Sequence, residues 1–143
     1  MKLLNESLEK ELKEVFHTMK DEVNVVLFTT QEDCETCEQT RSFMEELNTT
    51  GDKLNFIHYD INEQPEAVEK YDIVRTPAII LESKENGYKG VKFNGIPAGH
   101  EVNSFISSVL EVSGVGEILP QSTLERIDAI KQPVHLQVFV TLG

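Results

Sequence analysis

Both cysteines of the chain stand at one place, two residues apart, where an apolar run gives way to a helical one. Val23-Asn24-Val25-Val26-Leu27-Phe28-Thr29-Thr30 is β-branched and aromatic, the composition of a buried strand. Gln31-Glu32-Asp33-Cys34-Glu35-Thr36-Cys37 follows. From there the spacing through Met44 and Leu47 predicts a helix over 34–48, stopping near Asn48-Thr49-Thr50-Gly51. A strand that feeds a thiol pair into the first turn of a helix constrains fold and chemistry together. The first four N–H groups of a helix lack intrahelical partners and carry partial positive charge. A thiolate placed there is stabilised. Cys34 is expected at the open end, and Cys37, one turn further in, is expected to be more covered.

The rest of the chain alternates between helical and extended patterns. Over residues 3–20, Leu4, Leu8, Leu12, Val15, Phe16 and Met19 form a helical stripe opposite a face rich in Glu and Lys. Leu54 to Ile61 is a second strand, apolar on both faces, which predicts an inner, parallel position. Glu63 to Tyr71 is a short helix with Pro65 in its first turn. Ala78 to Glu82 is a third strand, entered through Arg75-Thr76-Pro77. Glu85-Asn86-Gly87 is a hairpin turn, and Gly90 to Ile96 is the partner strand. Pro97-Ala98-Gly99 breaks the pattern, and His100 to Val112 closes as a helix with Val102, Phe105, Ile106, Val109 and Leu110 on one face. The order α, β, α, β, α, β, β, α predicts an α/β fold with a small mixed sheet and helices on both faces. Helix-separated strands are expected to be parallel and the late hairpin antiparallel.

A chain of 143 residues holds one domain with a real core. Its net charge of −12 argues against nucleic acid or an anionic membrane as partner, since both select a basic face. No run approaches the ~18 apolar residues of a membrane span. The opening Met1-Lys2-Leu3-Leu4-Asn5-Glu6-Ser7 turns polar too soon for a secretory signal, which points to the cytoplasm. Thiols there are kept reduced, so a CxxC pair reads as catalytic or metal-binding rather than as a staple. A closed zinc site needs four ligands. Only two cysteines exist, and His17, His58, His100 and His135 show no ligand spacing, so no metal is expected. His58 reads as a satisfied side chain on an inner strand, His100 as a capping or surface group, and Tyr59 and Phe93 as packing.

Three motifs in order resemble thioredoxin: Cys34-Glu35-Thr36-Cys37 after the first strand, Tyr59-Asp60-Ile61-Asn62, and Tyr71-Asp72-Ile73-Val74-Arg75-Thr76-Pro77. The resemblance covers residues 20–113. It implies a thioredoxin-like fold, with a central mixed sheet of about four strands flanked by helices and, here, an extra N-terminal helix. It also implies that Pro77 is cis and lies beside the cysteine pair, and that Thr76 offers its backbone to an extended substrate peptide. Gly95-Ile96-Pro97-Ala98-Gly99-His100-Glu101, the long first helix and the tail resemble the glutaredoxin-like protein disulfide oxidoreductases of archaea and heat-loving bacteria. Those proteins carry two thioredoxin-like units in tandem, each with a CxxC pair. An internal repeat agrees: Val134-His135-Leu136-Gln137-Val138-Phe139-Val140-Thr141 has Val, Phe and Thr where Val23, Phe28 and Thr30 stand. A helical run, Leu124 to Lys131, precedes it. The expected division is a thioredoxin-like unit over 1–117, then a linker helix and the first strand of a second, truncated unit over 118–143. Such a loose strand exposes an edge, and it is expected to fold back or to pair with another copy as a homodimer.

The chemistry implied is thiol–disulfide exchange on protein substrates. Cys34 is the nucleophile that forms a mixed disulfide, and Cys37 is the resolving thiol that releases the product. The Cys34–Cys37 pair is then the whole redox centre, with no other cofactor, and a thiol reductase supplies electrons. Glutathione enters only through the glutaredoxin side. The loop before the last helix has His100-Glu101 in place of the acidic pair by which glutaredoxins hold it. An iron–sulfur cluster shared between two chains is the other reading from that side. The chain departs from thioredoxin in having no tryptophan before Cys34 and no Gly-Pro between the cysteines. Phe28 also stands where many thioredoxins bury an acid. Glu32, Asp33, Glu35 and Glu38 crowd the pair, and the nearest cation in sequence is Arg41. Like charges disfavour a thiolate, so the Cys34 pKa is expected to be raised and the couple to be more reducing. The alternative is a redox-weak docking or substrate-presenting unit of a tandem protein. The flavoprotein that reduces alkyl hydroperoxide reductase opens with a unit of this kind lacking the cysteine pair, so Cys34 and Cys37 favour exchange.

Overall fold

A computed structural model describes residues 2–141. Helix α1, Glu6–Phe16, is capped by Asn5, whose side chain accepts the Leu8 N–H at 2.8 Å. The apolar stripe seen in sequence overshoots this helix at both ends. Leu4 and Met19 are buried from the flanking turns instead of from helical turns. The leading segment is tied down by the Glu46 carboxylate, which accepts the backbone N–H groups of Leu3 and Leu4.

Strand β1 is Val23–Thr29, followed by α2, Cys37–Asn48, β2, Leu54–Asp60, and α3, Pro65–Lys70. Strands β3, Ala78–Ser83, and β4, Gly87–Asn94, form the hairpin. Helices α4, Glu101–Val112, and α5, Gln121–Asp128, complete the order. The sheet has four strands in the order β2-β1-β3-β4. β1 runs parallel to β2, with Val23 opposite Leu54 and Thr29 opposite Asp60. It runs antiparallel to β3, with Phe28 opposite Ala78, and β3 is antiparallel to β4.

Two placements differ from the sequence reading. β2 is parallel but lies at the sheet edge. It is apolar on both faces because helices cover both: Phe56 packs with the α1, α2 and α4 side, and Ile57 and Tyr59 with the α3 side. β3 is antiparallel to β1 although a helix precedes it. The six residues of α3 advance the chain only ~9 Å, whereas a seven-residue strand spans ~23 Å. The helix alone does not return the chain to the opposite end, and β3 starts at the end where β2 stopped.

The core is split by the sheet. Leu12 and Phe16 of α1, Met44 and Leu47 of α2, and Phe105 and Val109 of α4 pack with Val25, Leu27 and Ile79 on one face. Val26, Phe28, Ile80 and Tyr71 pack under α3 on the other. Residues 131–140 form neither helix nor sheet, and Leu136, Val138 and Phe139 are almost wholly exposed. The last two residues of the expected second unit, Leu142 and Gly143, lie outside the described residues. Among the described residues, no helix is long and apolar enough to cross a membrane.

Candidate functional site: a disulfide at the start of α2

β1 is buried along nearly its whole length, and its C-terminal end leads into the cysteine turn. Beyond Thr29 the chain turns through Asp33, which takes a positive φ of 48°. Aspartate tolerates that conformation better than most residues. Thr36 follows at φ −105° and ψ 0°, and α2 begins at Cys37. The helix thus starts three residues later than the sequence pattern indicates, because residues 34–36 are used in the turn. Cys34 and Cys37 are joined in a disulfide with Cα atoms 5.4 Å apart. Cys34 is half-buried, whereas Cys37 is 5% exposed. The covered residues Cys37, Thr40, Met44 and Leu47 form the inner stripe of α2 and turn Cys37 toward the sheet.

The turn is held from the neighbouring loop. Thr30 Oγ1 accepts the Glu32 N–H at 3.2 Å and the Asn62 Nδ2 at 3.5 Å. The Ile61 N–H donates to the Thr29 carbonyl at 3.0 Å. The Thr76–Pro77 peptide bond is cis, and Pro77 is buried. Its carbonyl accepts the Gly95 N–H at 2.8 Å. The β1–β3 ladder ends at Phe28 with Ala78, so Pro77 and Thr76 continue β3 past the last pair, at the end where β1 leads into the cysteine turn.

Phe28, six positions before Cys34, is fully buried between Tyr59 and Tyr71, with ring centroids at 5.6 and 5.9 Å. Tyr59 and Phe93 are packing residues, the latter edge-on to Phe105 at 5.1 Å. His58 is not an inner core residue. It is exposed on the edge strand, with Nε2 2.7 Å from the buried Thr29 Oγ1. Desolvation, and then the Arg41 charge, push its pKa below the ordinary imidazole value, so the ring is neutral at neutral pH. Sequence reasoning missed this pair because it placed β2 inside the sheet. His100 is exposed at the start of α4, and its side chain makes no capping bond. Among the described residues, no group of His, Cys, Asp and Glu side chains is placed to hold a metal ion.

A buried strand leading into a dithiol turn, a helix starting on the second cysteine, and a cis-proline strand alongside define a thioredoxin fold. The thioredoxin family matches residues 3–108, and the chain belongs to it. Over nearly its whole length it is similar to the alkyl hydroperoxide reductase protein AhpF. The Staphylococcus epidermidis protein is 28% identical over 140 residues, covering 98% of this chain and 25% of that protein. The Staphylococcus aureus protein is 25% identical over the same length. The chain therefore spans about a quarter of the curated relatives it matches. Among solved structures, a variant of AhpF from Enterococcus faecalis superposes with a TM-score of 0.82 at 29% identity, over 90% of this chain and 61% of that one. A protein disulfide oxidoreductase from Aeropyrum pernix shares the fold, with a TM-score of 0.78 at 24% identity over 92% of this chain and 57% of that one.

Proposed function

We propose that this chain exchanges disulfides with protein substrates through Cys34 and Cys37. The observation that carries the reading is the bond itself, closed at the first residue of α2 with its outer sulfur half-buried and its inner one covered. In the reduced form the Cys34 thiolate attacks a partner disulfide and the partner's thiolate leaves. Cys37 then attacks the mixed disulfide, releasing a dithiol product and restoring the Cys34–Cys37 bond. Two electrons and two protons pass to the partner. A thiol reductase returns them, and the pair needs no further cofactor. An extended peptide aligned on the backbone of Thr76, beside Pro77, would present its sulfur to Cys34.

The thioredoxin match, over residues 3–108, supports reading residues 1–117 as one thioredoxin-like unit. The exposed stretch after α5 then opens a second unit, or an edge that pairs between copies. Insulin reduction driven by dithiothreitol tests the exchange reading. The chain should accelerate precipitation of the insulin B chain, and Cys34→Ser should abolish the acceleration. Equal rates for the two proteins would leave a docking role in its place.

A further inference from the structure

We propose that the rim around the Cys34–Cys37 disulfide selects partner disulfides set among basic residues. The inference rests on the exchange reading above and names the substrate class of that same site. Glu32, Asp33 and Glu35 are exposed within two residues of Cys34. Glu38 follows Cys37 with its side chain 82% exposed, and Arg41 lies 3.8 Å from it. Arg41 is already bound to Glu45 at 2.9 Å, so the single cation of α2 is neutralised. The end of β2 and the loop after it add Asp60 and Glu63 on a second side, drawn in by the bonds from Ile61 and Asn62 to Thr29 and Thr30. Arg75, beside Thr76, is the exposed cation on the third side.

A chain of net charge −12 carries acids everywhere, so their number proves little. Their density beside the disulfide is what separates this face from the rest. Residues 32–38 hold four acids and no base, and no other seven-residue stretch of the chain holds four. Among the described residues, Glu32, Asp33 and Glu35 have no cation within 4.0 Å. A partner must bring its disulfide within bonding reach of Cys34, so the residues flanking that disulfide fall within a Debye length of the rim, about 10 Å at 0.1 M salt. Lys or Arg there is attracted, and Asp or Glu is repelled.

The test uses two synthetic peptides with the same internal disulfide, one flanked by lysines and one by glutamates. Rates of oxidation of the reduced full chain are divided by the rate of each peptide with dithiothreitol, which removes the peptides' own reactivity. Both peptides meet the same thiolate, so the ratio does not depend on its pKa. The lysine peptide should react about tenfold faster in low salt, within the range of electrostatic steering, and the advantage should fall steeply at high salt. The combined variant Glu32→Gln, Asp33→Asn, Glu35→Gln should bring the two rates together. Asparagine suits the positive φ at position 33. Equal rates with the unaltered chain, or a preference that survives the variant, would overturn the inference while leaving exchange intact. No reaction with either peptide would overturn both.

Discussion

Reducing the Cys34–Cys37 bond should destabilise the folded chain, and the size of the loss follows from the ring it closes. The bond joins positions three apart, so the ring holds four residues, 34 to 37. For such a ring the chain-entropy relation gives about 6 cal/mol/K lost from the unfolded chain, roughly 1.9 kcal/mol at 25 °C. The folded backbone already holds the two Cα atoms 5.4 Å apart, inside the usual range for bonded pairs, so bond formation asks little further of the native state. Charge acts in the same direction. The disulfide is neutral, whereas any thiolate formed on reduction stands among Glu32, Asp33, Glu35 and Glu38, which oppose it. The start of α2 works against this by stabilising the thiolate, typically by about 0.3–1 kcal/mol, too little to reverse the sign. By linkage, 1.9 kcal/mol corresponds to a folded couple roughly 40 mV more reducing than the unfolded one. Urea unfolding at pH 7, with and without excess dithiothreitol, reads the difference directly. At a slope of about 2 kcal/mol/M, reduction should lower the midpoint by about 1 M. Coincident midpoints, or a more stable reduced form, would refute the reasoning and would mark a site shaped to favour the dithiol.

Removing rim charge should make Cys34 easier to ionise. Glu35→Gln and Glu38→Gln should each lower the pH midpoint of Cys34 alkylation by iodoacetamide by a few tenths of a unit, and an unchanged or rising midpoint would overturn the like-charge argument. Phe28→Ala should cost about 3–5 kcal/mol, because it empties a fully buried site between two tyrosine rings. That loss appears as a urea midpoint lowered by about 2 M, and a drop under half a molar would mean that the tyrosines close the gap.

The sequence carried the elements well where burial alone decides them. Residues 25–28 form an unbroken apolar run because helices cover both faces of β1, and the run's shortness and its β-branched and aromatic residues mark a buried strand. The strand's step into two cysteines made the site visible. The Asn86-Gly87 pair marked the hairpin, and Gly87 takes the positive φ that such a turn demands. Where sequence reasoning missed, the controlling quantity was not in the local pattern. An apolar strand looks the same inside a sheet as at an edge covered by helices, so β2 and with it His58 were misplaced. The start of α2 depended on Asp33 entering the left-handed region, a backbone choice that no periodicity records.

The arrangement at Phe28 joins these threads. At the position where a carboxylate would lie in the sheet near the disulfide, β1 carries an aromatic ring locked by Tyr59 and Tyr71, while the carboxylates of this region are exposed around the cysteines. A carboxylate buried in that stack would be desolvated and held protonated or strained. The same groups in water stay ionised and act outward, on whatever approaches Cys34. Exchanging an internal acid for a ring therefore strengthens the core under the site, and placing acids at its rim turns their charge toward the choice of partner. Phe28→Ala should accordingly lower stability without moving the lysine-over-glutamate preference, whereas the rim variant should remove the preference without a comparable loss of stability. A Phe28→Ala protein that folded but lost its charge preference would show that this division of labour between core and rim does not hold.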